Sequence, residues 1–101
     1  MTKTNFELSQ KSKNAIKEIY KHTVKNFGEE QAIVYTKGMY ETFNTLTEHP
    51  NIGQDISEYK QGLRKFRYRS HIILYQNTNN KIQIYLVLHT KQDLRKHILE
   101  N

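Results

Sequence analysis

The chain has 101 residues, a formal net charge of +6 and no cysteine. A chain of that length forms one domain, 1–101, with a single modest core, and the missing thiols exclude disulfides, thiolate zinc sites and cysteine nucleophiles, a composition suited to a reducing cytoplasm. The charge is uneven: residues 1–59 carry seven Lys/Arg against eight Asp/Glu, and residues 60–101 carry nine against two, so the positive field sits in the C-terminal part and steers toward an acidic partner.

Phe6 and Leu8 alternate ahead of Ser9, which predicts a short first strand with Ser9 capping the helix that follows. From Ser9 to Phe27 the residues Ala15, Ile16, Ile19, Tyr20, Thr23 and Phe27 recur at helical spacing, with Lys13, Lys17, Lys21 and Lys25 on the other side. Gly28 reads as a left-handed stop. Glu29 and Glu30 then open a second helix, where negative charge suits the helix dipole. Its apolar stripe is Ala32, Tyr35, Met39, Phe43 and Leu46, and Pro50 ends it. Two helices joined at one glycine form an antiparallel hairpin.

The period then changes to two. Arg64, Phe66 and Tyr68 alternate with Leu63, Lys65 and Arg67; His71, Ile73 and Tyr75 alternate with Ile72 and Leu74. Ile82, Ile84, Leu86 and Leu88 alternate strictly with Gln83, Tyr85, Val87 and His89. Asn77–Asn80 is a hairpin turn between the last two strands. A short helical tail carries Leu94, Ile98 and Leu99 on one side. The expected fold is α+β: an N-terminal strand and an antiparallel helical hairpin packed on a mainly antiparallel C-terminal sheet, order β-α-α-β-β-β with room for a short C-terminal helix. Leu86 and its alternates are expected to face the helices. Met1–Ser9 has no basic segment leading into an apolar one, so no secretory leader is expected. Apolar runs such as Ile72–Tyr75 are far below the roughly 20 residues a spanning helix needs, so no membrane role is expected.

The five histidines, at 22, 49, 71, 89 and 97, are scattered, and none pairs with a carboxylate at ligand spacing. No metal or cofactor is expected, and there is no phosphate-cradling glycine loop. The strand residues hold more chemistry. Lys60, Arg64, Lys65, Arg67 and Arg69 form a cationic run, and His71 and His89 can act as acid or base. Each also has a structural reading. Arg64 can pair with Asp55 or Glu58 to hold the loop before its strand, His71 can be a hydrogen-bonded framework histidine, and Asp93 can orient His89. Tyr68, Tyr75 and Tyr85 read as packing, whereas Arg67 and Arg69 are the best exposed contact residues. The lysine stripe of the first helix reads as a solvated face.

Several short motifs, in order along the chain, resemble the ParE-type toxins of the RelE/ParE superfamily. They are Leu8-Ser9 before the first helix; Gly28 with Gln31-Ala32; Leu46, Pro50 and Gly53; Gly62-Leu63-Arg64-Lys65-Phe66; Ser70-His71-Ile72-Ile73-Leu74-Tyr75; and Ile84 through Leu88-His89, followed by Asp93. Gln54 stands where the family often has Arg, and Val87-Leu88 replaces its common Ile-Leu. The resemblance implies the toxin of a type II toxin–antitoxin system. Such a toxin is neutralised by a cognate antitoxin with an acidic, partly disordered segment and blocks DNA gyrase by binding. It reaches operator DNA only indirectly, through the antitoxin, and works in the cytoplasm. The target- or antitoxin-contact residues would be Arg64, Arg67, Tyr68, Arg69, Tyr85, His89 and Asp93. RelE-type relatives instead cleave mRNA on the ribosome, chemistry that needs a proton acceptor, cations and a proton donor. If this chain were such a nuclease, Arg64, His71 and His89 would carry it. It lacks the aromatic that those relatives place after the last strand, which favours binding over catalysis.

Overall fold

The computed structural model describes residues 6–99, in the order β1 (Phe6–Leu8), α1 (Gln10–Phe27), α2 (Glu29–Glu48), β2 (Gln54–Asp55), β3 (Leu63–Tyr68), β4 (His71–Thr78), β5 (Lys81–His89) and α3 (Leu94–Leu99). The sheet runs β1-β5-β4-β3-β2. β1 lies parallel to β5 and every other neighbour is antiparallel. The expected architecture stands, with one added element: the two-residue edge strand β2, too short to leave an alternation in the sequence.

Ser9 caps α1 by accepting from Ser12 N–H at 3.0 Å. Gly28 closes α1, its N–H donating to Val24 O at 2.9 Å, and its own carbonyl accepts from Ala32 N–H to begin α2. The elbow is not the expected left-handed stop. Gly28 has φ 95 and ψ 163, positive in φ but extended in ψ, which lets one residue reverse the chain. Ile16, Met39, Phe43 and Leu46 from the hairpin meet Ile73, Tyr75, Ile82, Ile84 and Val87 of the sheet in the main core. Mid-helix Gly38 is explained here: the Tyr68 hydroxyl occupies the place a Cβ would take and donates to Tyr35 O at 2.8 Å.

A second core lies on the other face of the sheet, built from Ile56, Leu63, Leu74, Leu86, Leu88 and Ile98. Leu86 and Leu88 are therefore not on the helix side. The expected strict alternation breaks at a bulge: Tyr75 pairs with Ile84 but Leu74 pairs with Leu86, which leaves Tyr85 without a partner. Ile82 and Ile84 face the helices before the bulge, and Val87 does so after it. Two other expectations fail for simpler reasons. Phe27, at the end of α1, is 70% exposed, and Leu99, on the last turn of α3, is 60% exposed. Each lies where its helix has run past the core. The β4–β5 turn is as expected, with Asn79 (φ 53) and Asn80 (φ 62) both in the left-handed region that a two-residue hairpin demands.

Candidate functional site

The bulge also makes the site. Across the β4–β5 turn, Thr78 pairs with Lys81 and Tyr75 with Ile84; continued unbroken, that register would set His71 opposite Leu88 and turn His89 to the other face. The extra residue at Tyr85 shifts it by one, so His71 pairs with His89. Their rings meet edge to face, with centroids 5.3 Å apart. Serine hydroxyls anchor the bulge from α1: Ser9 Oγ donates to Tyr85 O at 2.8 Å, and Ser12 Oγ to Ile84 O at 3.1 Å.

Tyr35, on the inner stripe of α2, brings its hydroxyl 2.7 Å from His71 Nδ1. Ser70 N–H donates to the same oxygen at 3.3 Å; with the Tyr35 hydroxyl donating to Nδ1, the His71 ring proton sits on Nε2. Burial, followed by the neighbouring His89 and His22, holds the His71 pKa down at about 4, and the ring is neutral at physiological pH. Burial raises the Tyr35 hydroxyl above its usual range, so it keeps its proton. His89 Nδ1 accepts from Lys91 N–H at 3.1 Å, which leaves Nε2 as that ring's donor. These residues line an open cleft of about 620 Å³ with Glu18, Ile19, His22, Thr23, Phe27, Gln31, Arg69 and Ser70. Sequence reasoning singled out His71, His89 and Arg69 here and missed His22, Ser70 and Tyr35 as their neighbours; Tyr35 was assigned only to the helix stripe.

Other expected contact residues fall elsewhere. Arg64 is the cross-strand partner of Asp55 but forms no salt bridge with it or with Glu58. Its Nη1 donates to Gly53 O at 2.7 Å and Asn51 O at 3.4 Å, holding the loop after α2 by its carbonyls. Asp55 keeps its charge to lower pH than usual mainly because the Ser57 hydroxyl and N–H donate to it. Asp93 does not orient His89; its Oδ1 accepts from Lys96 N–H at 3.3 Å and caps α3. Arg67 Nε donates to Arg69 O at 2.8 Å, and the Arg69 guanidinium lies 5.8 Å from the Tyr68 ring centroid. Tyr68 and Tyr75 pack against the main core and Tyr85 against the second.

Arg67, Lys65 and Lys60 define a second surface. Lys65 pairs with Leu74 and Arg67 with Ile72, so these side chains share the sheet face away from the hairpin. Lys60 Nζ sits 5.5 Å from the Tyr85 ring centroid. The result is a cationic rim around the half-buried Ile72 and Tyr85. Val87 does not contribute to it, being in the helix-side core. Among the described residues no group of three or more His, Asp or Glu is placed to hold a metal ion, and no helix is long and apolar enough to cross a membrane.

A family profile described as "ParE toxin of type II toxin-antitoxin system, parDE" matches residues 6–94. The chain is 28% identical over 93 residues to Toxin ParE1 of Caulobacter vibrioides, a match covering 92% of this chain and 96% of the relative. It is 26% identical over 96 residues to Toxin ParE1 of Mycobacterium tuberculosis, covering 94% and 98%. The fold matches a solved structure titled "Chromosomal ParDE TA system from P. aeruginosa" with a TM-score of 0.72 and 20% identity, over 87% of this chain and 97% of that one. With the profile spanning β1 to the start of α3, the chain belongs to the ParE toxin family of type II toxin–antitoxin systems.

Proposed function

We propose that this toxin acts in the cytoplasm by binding DNA gyrase, and that a cognate antitoxin with an acidic, partly disordered segment holds it inactive. Of the three residues a nuclease would need, His71 and His89 are paired, and the observation that carries binding over chemistry is the separation of Arg64 from that pair. Arg64 pairs with Tyr75 at one end of the β3–β4 ladder, and His71 pairs with Tyr68 at the other. Four residues of strand, about 13 Å, lie between them. Arg64 Nη1 is also committed to the Gly53 carbonyl, which holds the guanidinium at the loop after α2. The rim of Lys60, Lys65 and Arg67 around Ile72 and Tyr85 supports the antitoxin reading, because an acidic segment folding onto it would neutralise the charge and cover apolar surface together. Operator DNA would be reached through the antitoxin.

The test is a supercoiling assay with purified gyrase and toxin, with and without antitoxin, paired with mRNA integrity and DNA breakage in growing cells. Loss of supercoiling, reversed by antitoxin, with DNA breaks and intact mRNA is the expected outcome. Rapid mRNA cleavage without gyrase-linked breaks would replace this reading with the ribosome-dependent endoribonuclease.

A further inference from the structure

We propose that the cleft between the β3–β4 turn, the paired ends of β4 and β5, and the α1–α2 elbow is a binding site for a nucleoside monophosphate, with the phosphoryl group at Arg69, His71 and His89 and the base against Phe27. It is independent of the gyrase reading and lies on the sheet face opposite the Lys60–Arg67 rim.

Three observations carry it. First, the sheet side of the cleft presents donors, while its carboxylate, Glu18, belongs to α1. Each histidine has its Nδ1 occupied as an acceptor, by Tyr35 in one case and by Lys91 N–H in the other, so each ring offers Nε2–H. With Arg69 lining the same cleft, its guanidinium over the Tyr68 ring, these groups match the acceptor oxygens of a phosphoryl group. The same arrangement argues against a metal, since a ring nitrogen that carries a proton cannot ligate. Second, the wall is fixed before any ligand arrives. Thr90 N–H donates to Ser70 O at 2.9 Å and ties the turn to the end of β5, while Tyr35 holds both Ser70 and His71. Arg69 keeps φ 50, a left-handed conformation uncommon for a long side chain, at the rim of the cleft. Third, the helix side adds apolar surface, Ile19 and Phe27 lining it beside Glu18, His22, Thr23 and Gln31. Ile19 is partly buried against the main core, and Phe27 has 70% of its surface exposed. An exposed ring in the same cleft as a guanidinium and two imidazole donors is an arrangement on which a nucleobase stacks. The cleft volume, about 620 Å³, falls within the range of small-molecule sites.

The probes are adenosine 5′-monophosphate, inorganic phosphate and N-acetylglutamate, titrated into the intact protein at constant ionic strength while the imidazole resonances of His71 and His89 are followed by NMR. Saturable shifts of both rings with the nucleotide below about 10 mM, stronger than with phosphate, are expected. Arg69→Gly suits the positive φ and removes the guanidinium; it should weaken nucleotide and phosphate alike, by about tenfold. Phe27→Ala changes an exposed side chain and should weaken the nucleotide about tenfold while leaving phosphate unchanged. Absence of saturation with the nucleotide, or shifts that persist undiminished in Arg69→Gly, overturns the site. Equal affinity for nucleotide and phosphate overturns the base subsite, and a response to N-acetylglutamate as strong as to the nucleotide overturns the phosphoryl assignment in favour of an acidic protein segment.

Discussion

Tyr75 is fully buried, yet its hydroxyl is the knot that ties the loop after α2 to the sheet: it donates to Pro50 O at 2.7 Å and accepts from Gly53 N–H at 2.9 Å. Tyr75→Phe leaves that buried N–H without an acceptor and should cost about 2 kcal/mol in a urea denaturation. Gly53→Ala acts on the same knot from the other side. Its Cβ would meet the Tyr75 hydroxyl at 2.5 Å and Lys65 O at 2.8 Å, so about 2–3 kcal/mol should be lost. If both variants unfold at the wild-type urea midpoint, the loop is not held this way. His71 sets a different dependence. Its folded pKa of about 4 lies below the 6.5 of a free ring, so between those values the unfolded chain binds a proton the folded chain refuses. Stability is thus complete above pH 6.5 and falls as pH drops from 6.5 toward 4. Since the ring is only half-buried, water screens that loss to about 1–2 kcal/mol. Denaturation of wild type and His71→Gln near pH 7 and near pH 4.5 isolates it: the variant should lose less over the interval, and equal losses would assign the titration to another group.

At the scale of elements, the start of α1 and the bulge in β5 are one device. Ser9 caps the helix with the same hydroxyl that donates to Tyr85 O, and Ser9 N–H and Ser12 Oγ both donate to Ile84 O. Ser9→Ala loses the cap and orphans the Tyr85 carbonyl, at about 2 kcal/mol, whereas Ser12→Ala leaves Ile84 O with the Ser9 N–H and should cost about 1 kcal/mol. Thermal melts that rank the two in reverse would refute this division of labour. Most elements were legible in the sequence because their signals are local. The 3.6 period of α1 and α2, the single-glycine elbow, the Asn79–Asn80 turn and the Pro50 stop all act within a few residues. The bulge was not legible, because Ile82, Ile84, Leu86 and Leu88 give an unbroken alternation, and what breaks it is a pair of serines more than 70 residues away in sequence. The cleft stayed hidden for the same reason. His71 and His89 become neighbours only through the register shift the bulge creates, and Tyr35 joins them only through the packing of α2 on the sheet.

For the whole molecule the governing fact is where its charge lies. A net charge of +6 comes from the C-terminal part, and on the sheet face away from the hairpin Lys60, Lys65 and Arg67 surround Ile72 and Tyr85. An acidic antitoxin segment would be drawn to that face over several ångströms by a field that salt screens within roughly 10 Å at 0.1 M. Once seated it would be held by apolar contact that salt does not weaken. The two contributions separate in kinetics. Reversing the three charges together, by Lys60→Glu, Lys65→Glu and Arg67→Glu, should slow association with the antitoxin about tenfold or more and flatten its dependence on ionic strength, with a smaller change in dissociation. Stopped-flow association across a series of sodium chloride concentrations reads both. The substitutions spare the second core, since none of the three residues belongs to it, so the melting temperature serves as the control for folding. An association rate that keeps its wild-type salt slope in the triple variant would place the antitoxin on another surface, and the lysine-lined outer face of α1, with Lys13 and Lys17, would then be the next to reverse.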